Sequence, residues 1–225
     1  MTVSVIVPTL NEQGVLAPTL ERARQPGVQE IIVADGGSTD ATLATAAHAA
    51  DLVLAAPRGR ALQMNAGAAR ARGDLLLFLH ADTLVPEGFA RVAAAACQDP
   101  AVIGGRFDVH LEPSSPLLRL TGELMNRRSR LTRISTGDQA IFIRREVFER
   151  LGGYADIPLM EDIDLSRRMK RAGRVTCLRQ RVTTSARRWQ KDGVVRTILL
   201  MWSLRALYFC GVSPARLQRV YRNTR

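Results

Sequence analysis

The 225-residue chain carries 32 Lys plus Arg against 21 Asp plus Glu, a formal net charge of +11, with 46% apolar and 24% charged residues. That balance excludes a disordered polymer and is ample for a buried core. Three separated cysteines (Cys97, Cys177, Cys210) without CxxC spacing argue against a disulfide scaffold or a zinc site and fit a reducing compartment.

Taken in chain order, residues 3–7 form a short apolar run closed by Pro8, with no basic segment before it, which predicts a strand and no signal peptide. Residues 15–23 have helical spacing. Residues 31–34 are a second strand, closed by Asp35-Gly36-Gly37, and Ser38 or Thr39 is expected to cap a helix through Ala50. Residues 52–54 are a third strand, residues 61–71 an Ala-rich helix ending near Gly73, and residues 75–79 a fourth, uniformly apolar strand. Apolar runs separated by helices mean a parallel sheet covered on both faces. The expected class is therefore α/β, Rossmann-like in its first half.

From residue 113 the rhythm changes. Pro113-Ser114-Ser115-Pro116 leads into a basic amphipathic stretch ending near Arg133. Residues 140–143 read as a strand, 145–151 as a short helix, and 160–172 as a helix led by Glu161, Asp162 and Asp164. Residues 194–212 and 213–221 read as a C-terminal helical appendage. Its most apolar part, residues 198–212, is too short to span a bilayer and carries Arg205. With no targeting signal, the expected location is the cytoplasm or the cytoplasmic face of a membrane. Charge follows the same division: residues 1–112 hold 8 basic and 12 acidic residues, residues 113–225 hold 24 and 9. An excess that size implies an anionic partner (nucleic acid, a membrane surface or phosphate groups) unless arginine richness reflects genomic base composition.

Ligands of such sheets sit beyond the carboxyl ends of the strands. The residues there are Pro8, Thr9, Asn11 and Glu12, then Asp35 to Ser38, then His80 and Asp82. A carboxylate at Asp82 can hold a hard divalent cation and, through it, a diphosphate; the alternative is an acid before a helix. Glu161-Asp162 offers a general base for deprotonating a hydroxyl, or simple partners for a helix dipole. Arg187-Arg188-Trp189 can clamp phosphates with an aromatic face beside them, or form a solvated basic patch. Neither GxxxxGK[ST] nor GxGxxG is present, which counts against a P-loop ATPase and a Rossmann dehydrogenase.

The ordered set VSVIVPTLNE (residues 3–12), IIVADGGSTD (31–40), FLHAD (78–82), Gly137-Asp138-Gln139, Gly152-Gly153-Tyr154 and Glu161-Asp162 resembles family 2 glycosyltransferases. The resemblance implies a GT-A fold over residues 1–190, with a nucleotide-binding half (1–112), an acceptor half (113–190) and C-terminal helices at 191–225. It also implies a nucleoside diphosphate sugar donor, Mg²⁺ or Mn²⁺, and inversion at the anomeric carbon. Pro8, Thr9, Asn11, Glu12 and Asp35 would border the nucleotide, Arg60 its phosphates, and Asp82 the metal. Asp138 and Gln139 would lie on the acceptor side, and Asp162 would be the base with Glu161 beside it. Two departures stand out. The DxD motif reads His80-Ala81-Asp82, so His80 would meet ribose, phosphate or metal. No His follows His110, and an arginine of Arg187-Arg188-Trp189 is expected to neutralise the departing diphosphate.

The acceptor is a hydroxyl compound, and the basic stretch at 117–133 with the apolar tail suits a lipid-linked one of the cell envelope at a membrane surface. Both segments would otherwise pack on the sheet or on a second copy in a homo-oligomer. A nucleotidyltransferase lacks its usual Gly-rich basic signature here. A nucleic-acid binder lacks helix-turn-helix, zinc-ligand and RNP-like patterns. A non-catalytic nucleotide-sugar binder is the remaining alternative.

Overall fold

The computed structural model describes residues 1–223, apart from the side chains of Arg188, Gln190, Lys191, Arg222 and Asn223. Its centre is one eight-stranded mixed sheet in the order β3-β2-β1-β4-β7-β6-β8-β5. The strands are β1 (Val3–Thr9), β2 (Val28–Asp35), β3 (Leu52–Ala55), β4 (Leu75–Phe78), β5 (Thr83–Leu84), β6 (Val102–Glu112), β7 (Ile141–Arg144) and β8 (Arg174–Ser185). The first four pair in parallel, β7 runs antiparallel to both β4 and β6, and β8 joins β6 in parallel. Side chains alternate as a strand requires. Val3, Val5, Val7, Leu75 and Leu77 enter the core on one face, while Ile6, Leu76 and Phe78 enter the core on the other.

Helices α1 (Leu16–Ala23), α2 (Thr42–Ala49), α3 (Arg60–Ala68) and α4 (Phe89–Ala96) accompany the first half. α2 starts later than the sequence suggests: Ala41 precedes it without a side-chain cap, and the Asp40 carboxylate accepts the Thr42 N–H at 2.9 Å instead. Ser38 is unavailable as a cap because its hydroxyl is used by the β1 and β2 loops. α3 likewise ends at Ala68 rather than Ala71.

The second half adds α5 (Pro116–Thr132), a one-turn 3₁₀ helix (Gly137–Gln139), α6 (Arg145–Arg150), α7 (Glu161–Ala172), α8 (Arg187–Asp192), α9 (Val194–Phe209) and α10 (Pro214–Asn223). Pro116 occupies the first turn of α5, and the Ser115 hydroxyl accepts the Leu118 N–H at 3.3 Å. Met160, Ile163, Leu204 and Leu217 form a small separate core that fixes α9 and α10 against the start of α7. One face of α9 is thus packed; Val195, Leu199, Trp202 and Phe209 on the other are exposed.

The sequence reading contains neither β6 nor β8. β6 carries Gly104-Gly105, then Arg106 and Asp108, while β8 is largely polar, so neither shows the apolar run that marked the earlier strands. The glycines are a packing requirement. A Cβ at Gly104 would collide with the Phe142 carbonyl oxygen, and one at Gly105 with that of Thr176. Arg106 is fully buried yet held by Asp108 and the Asn126 carbonyl, the latter at 3.0 Å; Arg130 closes on the same aspartate. Gly105→Ala is expected to lower unfolding free energy by about 3 kcal/mol, because the β8 backbone at Thr176 and the Phe142 ring of β7 must both move. Chemical denaturation measures this, and an unchanged midpoint would show that the strands can part freely.

Candidate active site

The β1 and β2 loops are built around Asp35. Its Oδ1 accepts the Thr9 and Ser38 hydroxyls at 3.0 and 2.5 Å, and its Oδ2 accepts the Gly37 and Ser38 N–H groups at 2.9 and 2.8 Å. Burial alone would raise this carboxyl, but the hydrogen bonds from Ser38, Thr9 and Gly37 carry it below the usual carboxylate range. Gln63 of α3 stitches the same strand ends together, donating to the Thr9 and Ala34 carbonyls at 2.6 and 2.9 Å. Asn11 sits at φ 56 and accepts the Thr39 N–H at 2.9 Å, while its own N–H meets the Ser38 hydroxyl. Thr9 is therefore tied directly to Asp35, Asn11 is tied to the Ser38-Thr39 turn, and Pro8 stands beside Ala34 in the sheet; Asp35 itself lies behind the loop surface.

Across the edge, β5 pairs with β8, and the Ser185 N–H reaches the Asp82 carbonyl at 3.2 Å. That pairing delivers Arg187 to the carboxylates: its Nη2 lies 3.6 Å from both Glu12 Oε2 and Asp82 Oδ2. Burial and then the charge of Asp82 raise the Glu12 carboxyl, with Arg187 and His80 opposing them. Among the described residues no group of three His, Cys, Asp or Glu could enclose a metal ion. The two facing carboxylates are still a suitable donor set for a cation that takes its other oxygens from substrate phosphates and water.

Glu161 and Asp162 open α7, after Met160 at φ 71. Glu161 is buried and pairs with Arg60 at 3.3 Å. Asp162 Oδ2 accepts the Gly137 N–H at 3.0 Å and Oδ1 the Ile163 N–H at 2.7 Å. Burial, then the negative charge of Glu161, push the Asp162 carboxyl up to about 6, against those hydrogen bonds and Arg60. A small cavity beside it is lined by Arg60, Phe78, His80, Gly137, Tyr154 and Asp162 among others. A carboxylate facing a cleft with such a pKa can take a proton from a hydroxyl near neutral pH.

His80 does not turn toward Asp82. Its Nδ1 lies 3.2 Å from Asp138 Oδ1, and its Nε2 is buried against Gly137, where a Cβ would collide with it. Asp138, beside His80, is half-exposed. Gln139 is fully buried, donating to the Ser129 hydroxyl at 3.0 Å beneath α5. Trp189 packs partly buried on the main core rather than presenting a free stacking face. The Arg188 side chain lies outside the described residues.

Two contributors escaped the sequence reading. Asn65 of α3 holds the Gly152-Gly153-Tyr154 loop, accepting the Tyr154 N–H and donating to its carbonyl, both at 2.8 Å. Gly153, at φ 71, has no room for a Cβ beside Asn65 Oδ1. Arg128 of α5 lies near Asp162 and Asp138. Nothing in a basic amphipathic helix marks one arginine as special, whereas Asn65 could have been sought as a polar residue on an Ala-rich helix face.

Comparison with known proteins identifies the family and the fold. A family model described as Glycosyl transferase family 2 matches residues 4–152. A "PGL/p-HBAD biosynthesis glycosyltransferase" of Mycobacterium bovis (strain BCG / Pasteur 1173P2) is 35% identical over 166 residues, 67% of this chain and 62% of that protein. The chain thus spans less than two thirds of that relative's length. Among solved structures, S. aureus TarS 1-349 superposes with a TM-score of 0.65 at 18% identity, covering 83% of this chain and 61% of that one. The mannosyltransferase PcManGT from Pyrobaculum calidifontis, in complex with GDP-Man and Mn²⁺, gives 0.63 at 23% identity, covering 80% and 56%. Glucosyl-3-phosphoglycerate synthase from Mycobacterium tuberculosis, solved with Mn²⁺, UDP and glucosyl-3-phosphoglycerate, gives 0.56 at 18% identity, covering 80% and 70%. The fold is the GT-A fold, and with the family model matching residues 4–152 of its 225, the chain belongs to glycosyl transferase family 2.

Proposed function

We propose that the protein transfers a sugar from a nucleoside diphosphate sugar to an acceptor hydroxyl, with inversion. The observation that carries this is Asp162: one cleft-facing carboxylate, raised to about 6, whose neighbour Glu161 is already committed to Arg60. A single base suits a single displacement, in which the acceptor oxygen attacks as its proton passes to Asp162. The Pro8–Glu12 and Asp35–Ser38 loops form the nucleotide edge, and Arg60 stands at the cleft between that edge and the base. Asp82 and Glu12 would hold Mg²⁺ or Mn²⁺. A bound divalent ion would stabilise charge on the diphosphate leaving group, and Arg187 supplies a second positive charge at the same place. Asp138, tied to His80, would orient the acceptor. Residues 1–112 and 113–190 are read as the donor and acceptor halves of one domain, with 191–225 as an appendage.

A membrane-surface acceptor is the second part of the reading. Leu117, Leu120, Leu124 and Leu131 on α5, and Val195, Leu199, Trp202 and Phe209 on α9, are exposed within the arginine-rich half. Exposed apolar stripes flanked by cations suit an anionic bilayer surface. No helix among the described residues is long and apolar enough to cross a membrane. The relatives' naming for PGL/p-HBAD biosynthesis fits an acceptor of this kind.

Four measurements test these statements. Asp162→Asn is expected to reduce kcat at least about 100-fold while donor affinity changes little; equal losses of both would make Asp162 a structural residue. Because the base works deprotonated, wild-type kcat/KM should rise with pH through about 6 and then level off; a profile flat between pH 5 and 8 contradicts the assignment. Arg187→Ala removes a cation competing for Glu12 and Asp82, so Mn²⁺ binding without nucleotide should tighten several-fold in EPR titrations; no change would separate Arg187 from that site. Finally, the protein should sediment with vesicles containing anionic lipid, less so with neutral vesicles or high salt, and Leu199→Ser with Trp202→Ser should weaken this severalfold. Equal binding to neutral vesicles would remove the electrostatic half of the reading.

A further inference from the structure

Arg128 lies on α5 one turn beyond Leu124, on the strip of helix surface that runs Leu117, Leu124, Leu131. Its Nε and Nη2 are buried, and among the described residues neither has a hydrogen-bond partner. These two nitrogens form one edge of the guanidinium fork. Leaving them dry and unpaired opposes folding, since buried donors lose water without replacement. Burial, with Arg106 adding like charge, depresses the arginine's pKa, while Asp162 and Asp138 counter that at longer range.

The surrounding acceptors are already engaged. Asp108 is shared by Arg106 and Arg130. The Asn126 carbonyl accepts from Arg106 Nη2 at 3.0 Å and the Ser129 hydroxyl at 3.1 Å. Each oxygen of Asp162 accepts a backbone N–H. The edge is therefore a two-donor cation within electrostatic range of the carboxylate assigned as the base, and its natural complement is an anion offering two oxygens.

We propose that Arg128 receives an anionic group of the acceptor, a phosphate or carboxylate lying close to the hydroxyl that Asp162 deprotonates. This rests on the reading of Asp162 as base and narrows the acceptor from a hydroxyl compound to an anionic one. The leucine strip leading to Arg128 would accompany an apolar tail, where the acceptor has one. A soluble acid and an amphiphile share the recognised chemistry and differ in that strip.

The test is thermal stability and calorimetric binding of the full chain with glycerol 3-phosphate, octyl phosphate, octanoate and the neutral octyl glucoside. Wild type should bind the anionic probes and not octyl glucoside at the same concentration. Octyl phosphate binding tighter than glycerol 3-phosphate identifies an amphiphile, and parity a soluble acid; either supports the proposal. Arg128→Met should lose at least about tenfold in anion affinity, as expected for removal of a charged hydrogen-bond pair, and should melt higher than wild type when free, because an unpaired buried charge is gone. Arg128→Lys should keep the charge but lose most of the affinity. Arg119→Met, exposed on the same helix, should change neither quantity. Undiminished anion binding in Arg128→Met, or a free Arg128→Met protein that melts lower or fails to fold, overturns the proposal by showing the charge to be structural. UDP and GDP binding measured alongside separates the two readings. Nucleotide binding preserved with anion binding unchanged in Arg128→Met rejects only this inference. No nucleotide binding in wild type rejects the transferase reading, and the anion result stands or falls on its own.

Discussion

The structure turns on the burial of a negative charge at the start of α7. A helix N-terminus favours a carboxylate by about 0.3–1 kcal/mol, and two backbone N–H groups add to that at Asp162. Burial and the adjacent Glu161 nevertheless win, carrying the carboxyl from 3.8 to about 6, a difference of about 3 kcal/mol between its protonation states. The folded chain therefore holds this proton more tightly than the unfolded chain does. The cost to stability is fully present above pH 6 and disappears below about 4. Such a cost persists only where surrounding structure imposes it.

That imposition comes from three directions. Met160 takes a left-handed conformation at φ 71, which a side chain adopts only under constraint. Its side chain is gripped by the Ile163, Leu204 and Leu217 core, so α9 and α10 hold the turn that aims Glu161 and Asp162. From the sheet side, Gly137 brings its N–H to Asp162 because His80 packs where a Cβ would stand. From α3, Arg60 engages Glu161 while Asn65 pins Gly153 and Tyr154. The His80 ring thus belongs to the wall behind Asp162, and Asp82 is left facing Glu12 and Arg187.

What the sequence made legible follows from burial symmetry. Strands buried on both faces announce themselves as apolar runs, so β1, β2 and β4 and the loops at their carboxyl ends were readable, as was β3, an apolar run only partly buried at the sheet edge. β6 and β8 were not, because their requirements are close backbone approach at Gly104 and Gly105 and an internal network around Arg106, neither of which produces periodicity. The same distinction holds at the site. Asp82, Glu161 and Asp162 stand at element ends, where a carboxylate is conspicuous. Gln139 also looked like a site residue, but a polar side chain at a turn is equally useful as an internal strut, and here it ties the 3₁₀ turn to Ser129. Sequence position shows that a polar group matters; only three-dimensional placement shows which side of the wall it faces.

The uneven charge of the chain acquires a physical order from these positions. In the first half, the acids that matter are either saturated by hydrogen bonds, as Asp35 is, or set as a repelling pair, as Glu12 and Asp82 are. In the second half, part of the arginine excess turns inward: Arg130 shares Asp108 with the fully buried Arg106 of the first half, and Arg128 is partly buried, with its Nε and Nη2 enclosed. An internal cation without full partners and a Glu12 carboxyl raised by burial and by the charge of Asp82 are opposite forms of the same unfavourable state. On the proposed reading each would be relieved by a ligand of the opposite sign, a cation at Glu12 and Asp82 and an anion at Arg128. Substrate and cation binding would then supply the charge compensation that the folded chain leaves incomplete.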